Sequence, residues 1–194
     1  MKIALISILA IAGLAGLGGC ATYSSLVSGQ EEVSGKWGVV ETQYQRRADL
    51  VPNLVEVTKG YAAHEKETFL AVTEARASVG QLKLDGVATN EAEMQKFVQA
   101  QDQLKGALSR LLVVAEKYPD LKASEQFISL QREIAGTENR IATARRDHQL
   151  AAQSFNTRIR QPMALVVRNF VSGFEAVPYF QSDAGAAKAP TVKF

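Results

Sequence analysis

Two histidines, one cysteine and 20 acidic residues are what this 194-residue chain offers to metal, nucleophilic or acid–base chemistry. His64-Glu65 opens like the zinc-protease helix motif, which needs a second histidine one turn on, but position 68 is Thr68. His64 is therefore expected to be solvated beside a charged face. A di-iron helical bundle needs Glu-x-x-His twice; the residue three before His148 is Arg145, so the motif fails even once. His148 falls on an apolar stripe and is expected to be a buried, hydrogen-bonded core residue, since a lone imidazole makes a poor metal site. No Ser/His/acid set and no glycine-rich phosphate loop is present. The expectation is no catalytic residue, no metal site, no cofactor, and no enzymatic activity.

The single cysteine, Cys20, excludes an internal disulfide. It ends a different kind of pattern. Met1-Lys2 is a short basic start, Ile3 to Leu17 is an apolar run, and Leu17-Gly18-Gly19-Cys20 resembles the lipobox of bacterial lipoproteins. Small residues at 18 and 19 suit a peptidase site, and the Cys20 thiol would accept a diacylglyceryl group. As an uncleaved span the run is short: it rises about 23 Å against a hydrocarbon core of about 30 Å. The pattern predicts a signal peptide over 1–19, lipidation at Cys20 including palmitate-type acylation, and a flexible tether over 20–35. Ala21, where an aspartate would suggest inner-membrane retention, predicts an outer-membrane lipoprotein facing the periplasm.

Charge narrows the partners. The formal net charge of +2 holds no concentrated basic footprint, so nucleic acid is not expected as a partner. Hydrophobic residues make up 46% of the chain, enough to bury a core.

The elements that must position these groups are helices. Trp37, Val40, Tyr44, Arg47, Val51, Leu54, Thr58, Tyr61, Glu65, Thr68, Val72, Ala75 and Val79 recur by threes and fours and predict a helix over 36–79. Pro52 predicts a kink, or a restart capped by Asp49. Gly80 to Asn90 reads as a loop, with Asn90 and Glu93 as a capping box. Met94, Phe97, Gln101, Leu104, Leu108, Leu111, Ala115 and Tyr118 form the next seam, over 90–118, where Pro119 stops it. A third helix over 122–160 carries Phe127, Leu130, Ile134, Thr137, Ile141, Ala144, His148, Ala151 and Phe155. Leu165, Val166, Phe170, Phe174, Tyr179 and Phe180 predict a short helix from 162 and an aromatic hook, followed by a loose tail over 181–194. The expected fold is all-α: an antiparallel bundle of three long helices plus a shorter C-terminal one, packed at coiled-coil-like angles over 36–180.

Arg46-Arg47-Ala48-Asp49-Leu50-Val51-Pro52-Asn53-Leu54-Val55 resembles the LemA family, and so do Lys59 to Glu65, Thr73-Glu74-Ala75-Arg76-Ala77, Glu116 to Ala123 and Ala144-Arg145-Arg146. The resemblance implies an all-helical, membrane-associated envelope protein and brings no established enzymatic activity with it. Members usually begin with an uncleaved membrane helix, where this chain carries a lipobox.

Arg46, Arg47, Asp49 and Asn53 are the densest polar signature. They suit either a salt-bridge cluster that locks packing or a recognition patch, where Arg is favoured. Folding the second helix back about 43 Å along the first would bring Tyr118 and Asp120 beside them, at the end facing the lipid. The expected partner-binding surface is therefore Arg46, Arg47, Asp49, Asn53, Tyr118 and Asp120. The expected function is a lipid-anchored, non-enzymatic scaffold or interaction module with an envelope protein partner. The alternative is a carrier or sensor of an apolar ligand held between helices, which needs a cavity that bulky seams oppose.

Overall fold

Ten buried positions follow one another by threes and fours along a single helix: Leu26, Gly29, Val33, Trp37, Val40, Tyr44, Arg47, Val51, Leu54 and Thr58. A stripe this long holds one face of a helix against a neighbour for nearly nine turns, and it sets the architecture. The computed structural model describes residues 2–82 and 90–181, with side chains from Gly18 onward. It contains α1 (Lys2–Tyr61), α2 (Lys66–Gly80), α3 (Glu91–Ala115), α4 (Pro119–Ala123), α5 (Glu125–Arg158) and α6 (Pro162–Phe170). Among the described residues there is no strand.

The expected tether over 20–35 is not a tether. It is the continuous lower part of α1. Its small, polar composition hides three seam residues, Leu26, Gly29 and Val33, that extend the Trp37 stripe downward. A Cβ built on Gly29 would lie 3.1 Å from Phe155 and 3.3 Å from the Arg158 guanidinium, so the missing side chain lets α5 come close. The mid-helix glycines show no such need: nothing lies near a Cβ on Gly60 or Gly106.

Pro52 neither kinks α1 into two helices nor starts one at Asp49; the helix runs through it. A proline takes away the amide that would bond to the carbonyl four residues earlier, here that of Ala48. Arg76 of α2 supplies the missing donor: its Nε lies 3.0 Å from the Ala48 carbonyl oxygen. Charge-assisted bonds of this kind contribute about 1.5–3 kcal/mol. Arg76→Ala is therefore expected to cost about 2 kcal/mol in urea unfolding, and clearly less in a Pro52→Ala background, where the helix provides its own donor. Equal costs in both backgrounds would show the contact to be incidental.

The predicted first helix ends early. A break at 62–65 separates α1 from α2, and Gly80 closes α2. The seam explains the break. Three of its four non-aromatic polar positions, Thr58, Glu65 and Thr68, fall together, and Tyr61 is 48% exposed. With little apolar surface to bury beyond Ala62, the helix turns and returns Phe69 and Val72 to the Val51, Leu54 and Val55 cluster.

The elements after the break alternate in direction. α2 runs back along α1, with Arg76 beside Ala48, and α3 returns against α2. The Asn90 side chain caps α3 by accepting from the amides of Ala92 and Glu93, at 2.9 and 3.2 Å, which is the N-cap half of the expected capping box; the Glu93 carboxylate pairs with Lys96 instead. Pro119 stops α3 but also opens the short α4, and Ser124 then caps α5. α5 descends antiparallel to both α1 and α3, and the α1–α5 pair is the largest helix contact in the molecule.

The core has three parts. At the far end Leu54, Leu104, Leu108, Leu111, Leu121 and Phe127 pack together. In the middle lie Trp37, Tyr44, Met94, Phe97, Ile141 and Phe180. At the N-terminal end Leu26, Val33, Phe155, Ile159, Ala164 and Phe174 close the bundle. The expected seams are buried throughout α3 to Ala115, and in α5 with Leu130 half-buried. The aromatic hook is split. Phe174 and Phe180 dock inward as the strand-like tail climbs α5, turning at Gly173 (φ +107°), while Leu165, Val166, Phe170 and Tyr179 point outward. The expected 181–194 tail and most of the 80–90 loop lie outside the described residues, as do the side chains of the expected signal peptide.

Candidate functional site

Halfway up the bundle, α1 presents an arginine to the core and solvent on successive residues. Arg47 is 2% exposed. Its guanidinium donates to Glu138 Oε1 at 2.8 Å, and to the Gln101 backbone and side-chain oxygens at 2.9 and 2.6 Å. The carbon of the guanidinium lies 5.1 Å from the Tyr44 ring centre. One side chain thus joins α1, α3 and α5. Burial pushes the Tyr44 hydroxyl above its usual range, opposed by the positive charges of Arg145 and Arg47. The signal for this hub was legible: Arg47 is the charged intruder in the first seam and Gln101 the only clearly polar one in the second. Glu138 lay off the third seam and carried no such mark.

Just below, toward the N-terminal end, Trp37, Phe97, His148 and Phe180 form an aromatic box. Trp37 lies 5.4 Å from both Phe97 and His148, and Phe180 lies 5.6 Å from His148. His148 is buried, as expected, but it is not hydrogen-bonded: neither ring nitrogen has a partner among the described residues. Removal from water favours the uncharged ring, and its pKa is lowered from 6.5 to about 4. The tail lid over this box is pinned by polar residues that the sequence reading missed. Gln149 donates to the Phe180 carbonyl at 3.1 Å, and Asn156 exchanges two 2.8 Å bonds with the Val177 backbone.

A cavity of about 160 Å³ lies between α1, α2 and α3, lined by Glu41, Tyr44, Arg76, Phe97 and Gln101 among others. Its polar groups and small size suit water or a small polar group, whereas pockets for apolar ligands run to about 300 Å³ and more.

The expected partner surface does not assemble as one patch. Arg46, Asp49 and Asn53 are exposed on the outer face of α1, where Gln45 donates to Asp49 at 2.7 Å. Arg47 is buried behind them. Tyr118 stands elsewhere: its hydroxyl donates to Glu65 Oε1 at 3.3 Å, at the far end of the bundle. Burial and the Glu65 carboxylate raise the Tyr118 hydroxyl above its usual range. Asp120 is exposed on α4 at the same end. Arg47 is level with Gln101, so α3 carries the chain about 20 Å onward before Tyr118. The cause is the break at 62–65, which inserts α2 as an extra reversal. α3 then runs in the same direction as α1, and its end lies beside the end of α1, not beside Leu50. Arg46 and Arg47 are therefore out of reach of Asp120, and neither motif lies at the N-terminal end. His64 is exposed, as expected. Among the described residues no group of three or more His, Cys, Asp or Glu side chains is placed to hold a metal ion.

The profile of the LemA family matches residues 36–194. This chain belongs to the LemA family. Magnetosome protein MamQ 2 of Paramagnetospirillum magneticum is 27% identical over 177 residues, covering 82% of this chain and 64% of that protein. Protein LemA of Metamycoplasma hominis is 27% identical over 136 residues, covering 70% of this chain and 58% of that one. Magnetosome protein MamQ of Magnetospirillum gryphiswaldense is 25% identical over 181 residues, 81% and 64% respectively. The chain spans less than two thirds of the length of these relatives. The LemA-like stretches now have physical roles: Arg46 to Asn53 and Thr73 to Ala77 are the two sides of the Ala48–Arg76 hydrogen bond, and Glu116 to Ala123 forms the far corner.

Proposed function

We propose that this LemA-family protein is a lipid-anchored, non-enzymatic scaffold of the bacterial envelope. In this reading it is acylated at Cys20, held in the outer membrane facing the periplasm, and presents the outer face of α1 to an envelope protein partner. The observation that supports it most is the pairing of Arg46 with Arg47. Arg47 fixes the rotation of α1 by bonding to two other helices, so Arg46, Asp49 and Asn53 face outward in a defined array. Arg46 is exposed and makes no hydrogen bond or ion pair among the described residues, and arginine is favoured at interface hot spots. Because α1 is continuous from Cys20, the array stands about 39 Å from the anchor rather than at the membrane face. Tyr118 and Asp120, being at the far end, are not part of it. Arg47, Gln101 and Glu138 inside the bundle are bound to one another, which suits a rigid framework more than a reacting centre.

The test is capture from cells with the intact acylated chain. Arg46→Ala is expected to reduce recovery of the partner about tenfold, the loss of about 1.4 kcal/mol, with an unchanged melting temperature. Cys20→Ala, run alongside, is expected to lose lipid labelling and accumulate as precursor. Capture that survives Arg46→Ala, or that falls only in step with stability, would move the functional surface elsewhere. Normal labelling of Cys20→Ala would remove the anchor.

A further inference from the structure

Exposed large apolar side chains are scattered singly along the other helices, as at Leu70, Val113 and Leu150, but α6 clusters four of them. Ala164 and Val167 pack inward, whereas Met163, Leu165 and Val166 are 41%, 49% and 52% exposed and Phe170 is 85% exposed. Met163, Val166 and Phe170 recur at three and four residues, so they form one edge of the helix, with Leu165 beside them. This is an amphipathic helix worn inside out. A monomer in water would gain nothing from such a face.

Its place in the fold indicates what covers it. A Cβ on Gly18 would lie 3.5 Å from the Met163 methyl, and Gln30 donates to the Gly173 carbonyl just after α6. α6 therefore lies alongside α1 between Gly18 and Gln30, within about 15 Å of Cys20 along the axis. The apolar run Ile3 to Leu17 continues downward from this level on the same helix; in the anchored reading it is removed, and the acyl chains on Cys20 take its place at this end. The charges here are one-sided. From Leu150 to Gln181 there are three arginines, Arg158, Arg160 and Arg168, and one acid, Glu175, while 18–30 carries no charged residue and the exposed acids Glu31 and Glu32 begin one residue farther from the anchor. An apolar face with arginines beside it, at the end where the acyl chains on Cys20 would leave the bundle, matches the boundary between anionic headgroups and acyl chains.

We propose that α6 is an interfacial membrane-docking helix: Met163, Leu165, Val166 and Phe170 enter the acyl boundary of an anionic bilayer, with Arg160 and Arg168 on its phosphates. The bundle then leans onto the membrane on its α6 side, held at two places instead of swinging on one. The inference rests on the anchored reading above. Because α1 has no flexible segment between Gly18 and Tyr61, this second contact also sets the direction in which the Arg46 face points.

The native chain has one tryptophan, Trp37, buried in the bundle, so Phe170→Trp adds a single exposed reporter. The full acylated chain is placed in vesicles of phosphatidylglycerol and phosphatidylethanolamine, with acyl chains brominated at graded depths. The indole introduced by Phe170→Trp is expected to lose about half its emission to shallow bromines, while Trp37 of the parent chain is unaffected. Replacing the anionic lipid with a zwitterionic one is expected to weaken that quenching, and the double change Arg160→Gln and Arg168→Gln to do the same. A protein that floats with the vesicles but whose new indole is unquenched overturns the docking helix and leaves the anchor standing. A protein that does not float overturns both. Shielding of the indole that depends on protein concentration and not on lipid assigns the face to a second copy of the chain, and overturns the proposal.

Discussion

Arg47→Ala is expected to destabilise the bundle by about 3 kcal/mol, lowering its melting temperature by about 10 °C. The variant removes three hydrogen bonds from a side chain that is 2% exposed. It leaves Gln101 Oε1 without its donor in the core and Glu138, whose side chain is 30% exposed, without its charge partner. Glu138 can rehydrate, so the cost falls at the lower end of what breaking a buried pair entails. Arg47→Lys should recover little, because an ammonium cannot reproduce the fork that reaches α3 and α5 together. The decisive comparison is Arg47→Met with Gln101→Leu. If the hub is destabilising only when half-dismantled, this double variant should regain most of the loss, since both polar partners leave the core at once. A double variant no more stable than Arg47→Ala would show that the hub itself contributes net stability. A loss below about 0.5 kcal/mol for Arg47→Ala, by urea unfolding, would contradict the hub altogether.

Acidification from pH 7.5 to 4.5 is expected to weaken the fold through His148. In the folded chain its pKa is about 4, held down by burial, against 6.5 when unfolded. Between those values the unfolded chain binds the extra proton, so stability is fully present above about pH 6.5 and declines as pH falls toward 4. At 1.36 kcal/mol per pH unit the full span is worth about 3 kcal/mol. Below pH 4 the contribution of this residue levels off, because both states are then protonated. The same box explains where the loss acts: a charged ring between Trp37 and Phe180 would have no hydrogen-bond acceptor, and the tail lid over it would open first. His148→Leu should remove this slope and, with two unpaired nitrogens gone, should not weaken the fold at pH 7.5. The measurement is the pH dependence of urea unfolding in both chains, taken as a difference so that surface carboxylates cancel. An identical slope in the two would show that His148 does not titrate with folding.

Burial of Arg47 decides which way the outer face of α1 is turned. The three-helix hub fixes the rotation of α1, and under the anchored reading proposed above the lipid end would hold the same helix at its N-terminal end. The LemA-like motifs lie at several levels of the bundle, and in the first of them Arg46, Asp49 and Asn53 are exposed while Arg47, Val51 and Leu54 are buried.

Helix class, the caps and most seam residues were legible in the chain because they depend on local spacing. Asn90 caps α3, Pro119 ends it, and the Met94-to-Ala115 stripe is buried, since a 3.6-residue period fixes the face before any partner is present. The absence of a completed metal or nucleophile motif was equally readable from residue types. Direction and pairing were not. Whether Thr58 to Thr68 bends or continues depends on whether Phe69 and Val72 gain more by returning to α1, and that is an energy of packing between distant segments. The same holds for 20–35: Leu26, Gly29 and Val33 look like a tether until Phe155 arrives to cover them. Pro52 could be read as a helix breaker because its missing donor is replaced from α2, 24 residues away. The sequence determined which surfaces wanted burial. Tertiary structure decided which surfaces met, because that choice is made by long-range contacts that no local pattern encodes, and with it moved Tyr118 and Asp120 to the far end from Arg46.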